Sequence, residues 1–170
     1  MLLSFAMIVF FIAQSGDAAK PITLEGWRLP GDAEMVNSWA KFRDLKEKPF
    51  HIRADFNGDG LLDDAYLALS TKRTGWALFV NLNSKSAKPR IVKLAEDTGR
   101  NVLQSMGLSE VNAGKYQTAC GKGYWTCKAD EARELTLRFP AINLFAFEGA
   151  SVFFWWDEKS GKFQQTWISD

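Results

Sequence analysis

After Pro49 the hydrophobic pattern breaks into short β-type runs, and this constrains the fold more than any other feature of the chain. The runs are Phe50 to Ala54, Ala65 to Leu69, Trp76 to Leu82, Arg90 to Ala95, Glu134 to Phe139, Ile142 to Phe147, Ser151 to Trp156 and Phe163 to Ile168. Each is too short for an amphipathic helix, and all but Ala65 to Leu69 carry two or more of the β-branched and aromatic residues that fit a pleated surface. Thr74-Gly75, Asn83-Ser84, Glu148-Gly149 and Lys159-Ser160-Gly161-Lys162 lie between neighbouring runs at hairpin distances, which favours antiparallel pairing over βαβ crossovers.

Ahead of Pro49 the period differs. Lys20 to Pro30 reads as an extended lead-in, and Gly31-Asp32 offers an N-cap. Met35, Trp39, Phe42 and Leu45 then recur at i, i+4, i+7 and i+10, with Lys41, Arg43, Asp44, Lys46 and Glu47 on the other faces. This spacing predicts an amphipathic helix, stopped by Pro49, whose apolar stripe enters the core. Asn101 to Met106 has room for one helical turn, and the rest of 97–133 reads as a long loop. No internal repeat is visible, and 170 residues at 46% hydrophobic and 14% aromatic can bury a core. The expected fold is therefore α+β: one domain over 19–170, with a single N-terminal helix packed on a mainly antiparallel sheet.

Between the first two runs lies Asp55-Phe-Asn57-Gly-Asp59-Gly60-Leu61-Leu-Asp63. Counted from Asp55, side-chain oxygens fall at positions 1, 3, 5 and 9, Gly60 at position 6, and the Leu61 carbonyl at position 7. Calcium takes about six to eight oxygen ligands, and this alternation aims every second side chain inward around a glycine bend. Position 12 is Tyr66 instead of the bidentate Glu of a helix-loop-helix site, and the flanks are β-like. The stretch resembles the calcium loop of FG-GAP and VCBS repeats over residues 50–70, a single copy where those proteins carry tandem arrays. The resemblance implies Asp55, Asn57, Asp59, Leu61 and Asp63 as ligands of Ca2+ in a strand-loop-strand clamp. Asp64 is expected to point away from the ion, because neighbours in an extended segment face opposite sides.

Residues 2–13 are apolar and uncharged and lead into small residues at Gly16-Asp17-Ala18-Ala19, the order of a signal peptide, with cleavage expected after Ala18. The run falls short of the ~20 residues that span a bilayer, and no later apolar stretch reaches that length, so no membrane span is expected once the signal is removed. Export places the chain in the periplasm or outside the cell. There its two cysteines, Cys120 and Cys127, are expected to close a disulfide.

Lys and Arg number 21 against 20 Asp and Glu, so no basic field draws the chain to nucleic acid. No catalytic residue is assigned. His51 is the only histidine, no Gly-x-Ser-x-Gly element is present, and both cysteines are used. The distinctive remainder is aromatic: Tyr124 and Trp125 lie inside the cysteine ring, between Lys122 and Lys128, as candidate contacts to a partner. The expected function is that of a periplasmic, calcium-stabilised protein-binding molecule of the inhibitor or immunity type, its partner a protein such as a periplasm-targeted toxin. Two alternatives are a calcium-dependent envelope hydrolase and a saccharide-binding module using Trp125 and Trp155 or Trp156.

Overall fold

The computed structural model describes residues 24–99 and 102–170. The signal peptide expected at 1–18 lies outside them. The strands are β1 (Trp27–Arg28), β2 (His51–Ala54), β3 (Asp63–Ser70), β4 (Gly75–Leu82), β5 (Arg90–Thr98), β6 (Met106–Val111), β7 (Gly114–Gln117), β8 (Glu134–Leu137), β9 (Ala141–Ala146), β10 (Ser151–Asp157) and β11 (Lys162–Ser169). All eight expected runs are strands, and every pairing between named strands is antiparallel.

The first sheet runs β1-β3-β4-β5, with β2 beside β1 on the same edge of β3; the second runs β11-β10-β9-β6; β7 and β8 form a separate ribbon. The two sheets share one core. Ala65, Leu67, Leu78 and Val80 from the first sheet pack with Leu108, Ile142, Leu144, Val152 and Phe154 from the second. Each fully buried Leu or Phe of this kind contributes about 1.5–3 kcal/mol of transfer free energy.

Strand alternation leaves a second apolar face on each sheet, and local elements cover both. Ala68, Ala77 and Phe79 lie under Leu24 and Trp27, which explains why β4 is buried along its whole length. On the second sheet, Phe153 and Ala141 lie under Leu135 and Leu137 of the β7-β8 ribbon.

The expected α+β class is corrected: the architecture is two packed antiparallel sheets, and among the described residues no helix reaches seven residues. In place of the N-terminal amphipathic helix stand two 3-10 segments, Asp32–Glu34 and Asn37–Phe42. Asn37 has φ 53°, a left-handed conformation that an α-helix cannot pass through. The stripe itself serves partly as expected. Met35 and Trp39 are buried, Phe42 packs at the core margin, and Leu45 is 49% exposed. The Trp39 indole N–H donates to the Met106 carbonyl at 2.6 Å, fixing this plug to the second sheet. The helical turn expected at 101–106 is a 3-10 turn, Leu103–Ser105, and the loop expected beyond it contains β6 and β7.

Candidate functional site

The acidic loop closes the hairpin between β2 and β3, whose last paired residues are Ala54 and Asp63. Its anchor is Phe56, which is fully buried in the main core. Asp55 organises the turn: Oδ1 accepts the Gly58 and Asp59 amides at 2.8 and 3.1 Å, and Oδ2 accepts the Gly60 amide at 2.8 Å. Asn57 Oδ1 accepts the Asp59 amide at 3.0 Å, and Asp59 Oδ1 accepts the Leu61 amide at 2.9 Å. Gly58 and Gly60 have φ of 77° and 81°, and a Cβ at Gly58 would run into the Phe139 ring.

Asp63 faces the opposite way from Asp64, as strand alternation requires. It is fully buried, accepting the Phe56 amide at 3.2 Å and the Asn83 amide at 2.9 Å. Burial pushes its carboxyl up to about 6; the two amide bonds oppose the shift, and the charges of Asp59 and Asp55 add to it. These oxygens are hard donors of the kind calcium takes. A carboxylate has about four acceptor positions, and Asp59 uses two, for the Leu61 amide and the Asn57 side chain. The donors are not drawn together, however: among the described residues, no three His, Cys, Asp or Glu side chains converge as a metal-holding group.

Asp64 meets two side chains of β2, His51 and Arg53. On the outer face of the first sheet, its Oδ1 lies 3.0 Å from His51 Nε2 and 3.6 Å from Arg53 Nε, and it is 3% exposed. The His51 ring stacks on Tyr66 with centroids 4.5 Å apart. Burial, then the Asp64 charge, raises the Tyr66 phenol above its ordinary range. Hairpin arithmetic could have found this cluster: once Ala54 pairs with Asp63, each step back along β2 is a step forward along β3, so Arg53 meets Asp64 and His51 meets Tyr66.

Cys120 and Cys127 form the expected disulfide. The ring is mounted on the far end of β11. The Ala119 amide donates to the Trp167 carbonyl at 2.8 Å, and Lys122 Nζ to the Ile168 carbonyl at 2.9 Å. Behind it, Thr118 Oγ1 donates to the Ala132 carbonyl at 2.8 Å. The two candidate contact residues fare differently. Tyr124 is 53% exposed, whereas Trp125 is half-buried, its indole N–H shared between the two Glu131 carboxylate oxygens at 3.0 and 3.1 Å. Beside the ring, Trp167 is a further exposed aromatic at 45%.

The other tryptophans named for saccharide stacking are engaged as well. The Trp155 N–H donates to Thr166 Oγ1 at 3.1 Å. Trp156 carries the Arg90 guanidinium over its ring, 5.6 Å from the centroid, and meets Phe163 edge-on. Among the described residues, no helix is long and apolar enough to cross a membrane. No family model matches the chain, and no curated protein or solved structure matches it either.

Proposed function

We propose that the chain is an exported periplasmic binding protein of the inhibitor or immunity type, stabilised by calcium, that acts by contacting another protein through its disulfide-closed loop. The observation that carries this reading is the mounting of Tyr124: a half-exposed aromatic on a short covalent ring, itself hydrogen-bonded to β11 beside exposed Trp167. Pre-ordered aromatics lose little entropy on association and are the residues in which interface energy concentrates. The near balance of charge accords with a protein partner better than with nucleic acid.

In this reading calcium is structural. The side chains of Asp55, Asn57, Asp59 and Asp63 and the carbonyl of Leu61 would hold it, and its charge would offset carboxylates that now repel one another around buried Asp63. The fit rests on donor chemistry. What the ion would supply is a clamp between β2 and β3.

The test is a photo-crosslinking residue at position 124 in the full-length chain, expressed in its source cell. A single defined protein adduct is expected, lost when the crosslinker is moved to exposed Leu45. No adduct at 124, or the same adducts from both positions, sinks the reading. One observation favours a second reading, a calcium-dependent envelope hydrolase: His51 is oriented by buried Asp64, the arrangement of a general base. Release of soluble fragments from envelope polymer that is abolished by His51→Ala would establish it over the first.

A further inference from the structure

Among the described residues, the edge strands β5 and β11 of the two sheets face each other across a groove. Among those residues β5 pairs only with β4, and β11 pairs only with β10, so β5 presents an open backbone edge and β11 does so at its Lys162 end, its Trp167 end being met by the Ala119 amide. Between them runs a groove of about 650 Å³, lined by both strands and floored by Phe154 and Trp156. Ile91, Val92, Leu94 and Phe163 add to its apolar lining. Its charges are all of one sign: Arg90, Lys93 and Lys162 line it, and no Asp or Glu does. Lys93 is paired with Glu96, whereas among the described residues Arg90 and Lys162 form no ion pair.

The geometry points to a strand-acceptor site: the groove takes an extended, acidic segment of another protein, adding it as a strand to the open edge of β5 or β11. Three features select this occupant. Unpaired edges offer backbone donors and acceptors that only another extended backbone satisfies in register. The mixed lining matches a strand with apolar residues facing the floor and carboxylates facing Arg90 and Lys162. Trp156 does not offer itself for stacking on a sugar, because Arg90 already lies over its ring and Phe163 meets its edge. A carboxylate that draws Arg90 from Trp156 would form a charge-assisted pair in its place. The site lies at the Lys162 end of β11, away from the disulfide loop at the Trp167 end, and does not depend on the proposed role of Tyr124.

The test uses end-blocked peptides of alternating Val and Glu, the same peptide N-methylated at alternate backbone nitrogens, and its Val and Lys counterpart. Each is titrated into the oxidised chain with amide shifts followed by NMR. The acidic peptide is expected to bind with shifts confined to β5 and β11. The N-methylated and basic peptides, and the doubly substituted R90E/K162E chain, are expected to bind at least tenfold more weakly. A melting scan of R90E/K162E shows whether it is folded; should it not fold, Arg90→Gln with the same peptides gives the answer. Equal binding of all three peptides, shifts outside these strands, or no binding at millimolar peptide overturns the proposal. So does a neutral oligosaccharide that shifts Trp156 where the acidic peptide does not. Failure of the wild-type chain to bind the acidic peptide while it still crosslinks at 124 overturns this inference alone, and binding without crosslinking overturns only the loop reading.

Discussion

Replacing Asp63 with alanine tests the loop from both sides, as a hydrogen-bonded structure and as a calcium clamp. The side chain is fully buried and accepts two backbone amides, those of Phe56 and Asn83, which join the loop to the core and the start of β3 to the end of β4. Alanine leaves both donors without an acceptor. A stranded buried donor costs about 1–3 kcal/mol; Asn83 is only half-buried and regains some solvation, so the pair together should cost about 3 kcal/mol. For a chain of this length that lowers the melting temperature by roughly 6–12 °C. The assay is calorimetric unfolding of the oxidised chain in excess calcium and in EDTA. If the loop binds calcium, free ion at about a hundred times its dissociation constant adds about 2.7 kcal/mol to the wild type, and chelation removes it. The Asp63→Ala chain should lose most of that response. A variant melting within about two degrees of wild type in EDTA at about pH 4, where folded Asp63 is protonated and alanine relieves no buried charge, would refute the hydrogen-bond reasoning, and a wild-type melting point indifferent to EDTA at neutral pH would refute the calcium clamp.

Gly58→Ala should destabilise by about 2–4 kcal/mol, combining the left-handed backbone penalty with the collision against Phe139. Gly60→Ala, at a similar φ but facing open space, should cost only about 1–2 kcal/mol by urea titration. Trp39→Ala should cost about 3–5 kcal/mol, whereas Trp39→Phe keeps most of the bulk, loses the bond to the Met106 carbonyl, and should cost about 1–2 kcal/mol in the same assay. Reducing the Cys120–Cys127 bond should cost about 2.5 kcal/mol through the entropy of its short ring; equal urea midpoints with and without reductant would contradict it.

The strands were readable because hairpins write themselves locally: a run of alternating residues, a turn pair, and a second run. The segment 31–45 was not, because its decisive feature is long-range. Met35, Trp39 and Phe42 are spaced for one face of an α-helix, yet what places Trp39 is the Met106 carbonyl on the second sheet, and tight 3-10 turns around a left-handed Asn37 bring it there. Val36-Asn37-Ser38 has weak helix propensity, so little local energy opposed that outcome. Strand β6 was hidden by Gly107, which reads as a breaker but sits where the Phe145 ring lies across the backbone, so a Cβ would strike it. In the site, the residues of the acidic loop and the cysteine ring could be named from spacing alone. Glu131 as the partner of Trp125 depends on the irregular path of the loop that carries both, and the facing of β5 and β11 on how separate hairpins pack, which no local pattern records.

The disulfide joins cysteines only seven residues apart, but the bonds that orient its ring reach to Trp167 and Ile168 at the other end of the second sheet. Oxidation can therefore finish long before the ring has anything to rest on. A thiol-trapping assay would score an unfolded, oxidised chain and the native protein alike, and the chemical bond would say nothing about whether Tyr124 is presented. Quality control of this protein in the laboratory needs a probe of the docked ring, such as protection of the Ala119 amide from exchange, and not a count of free sulfhydryls.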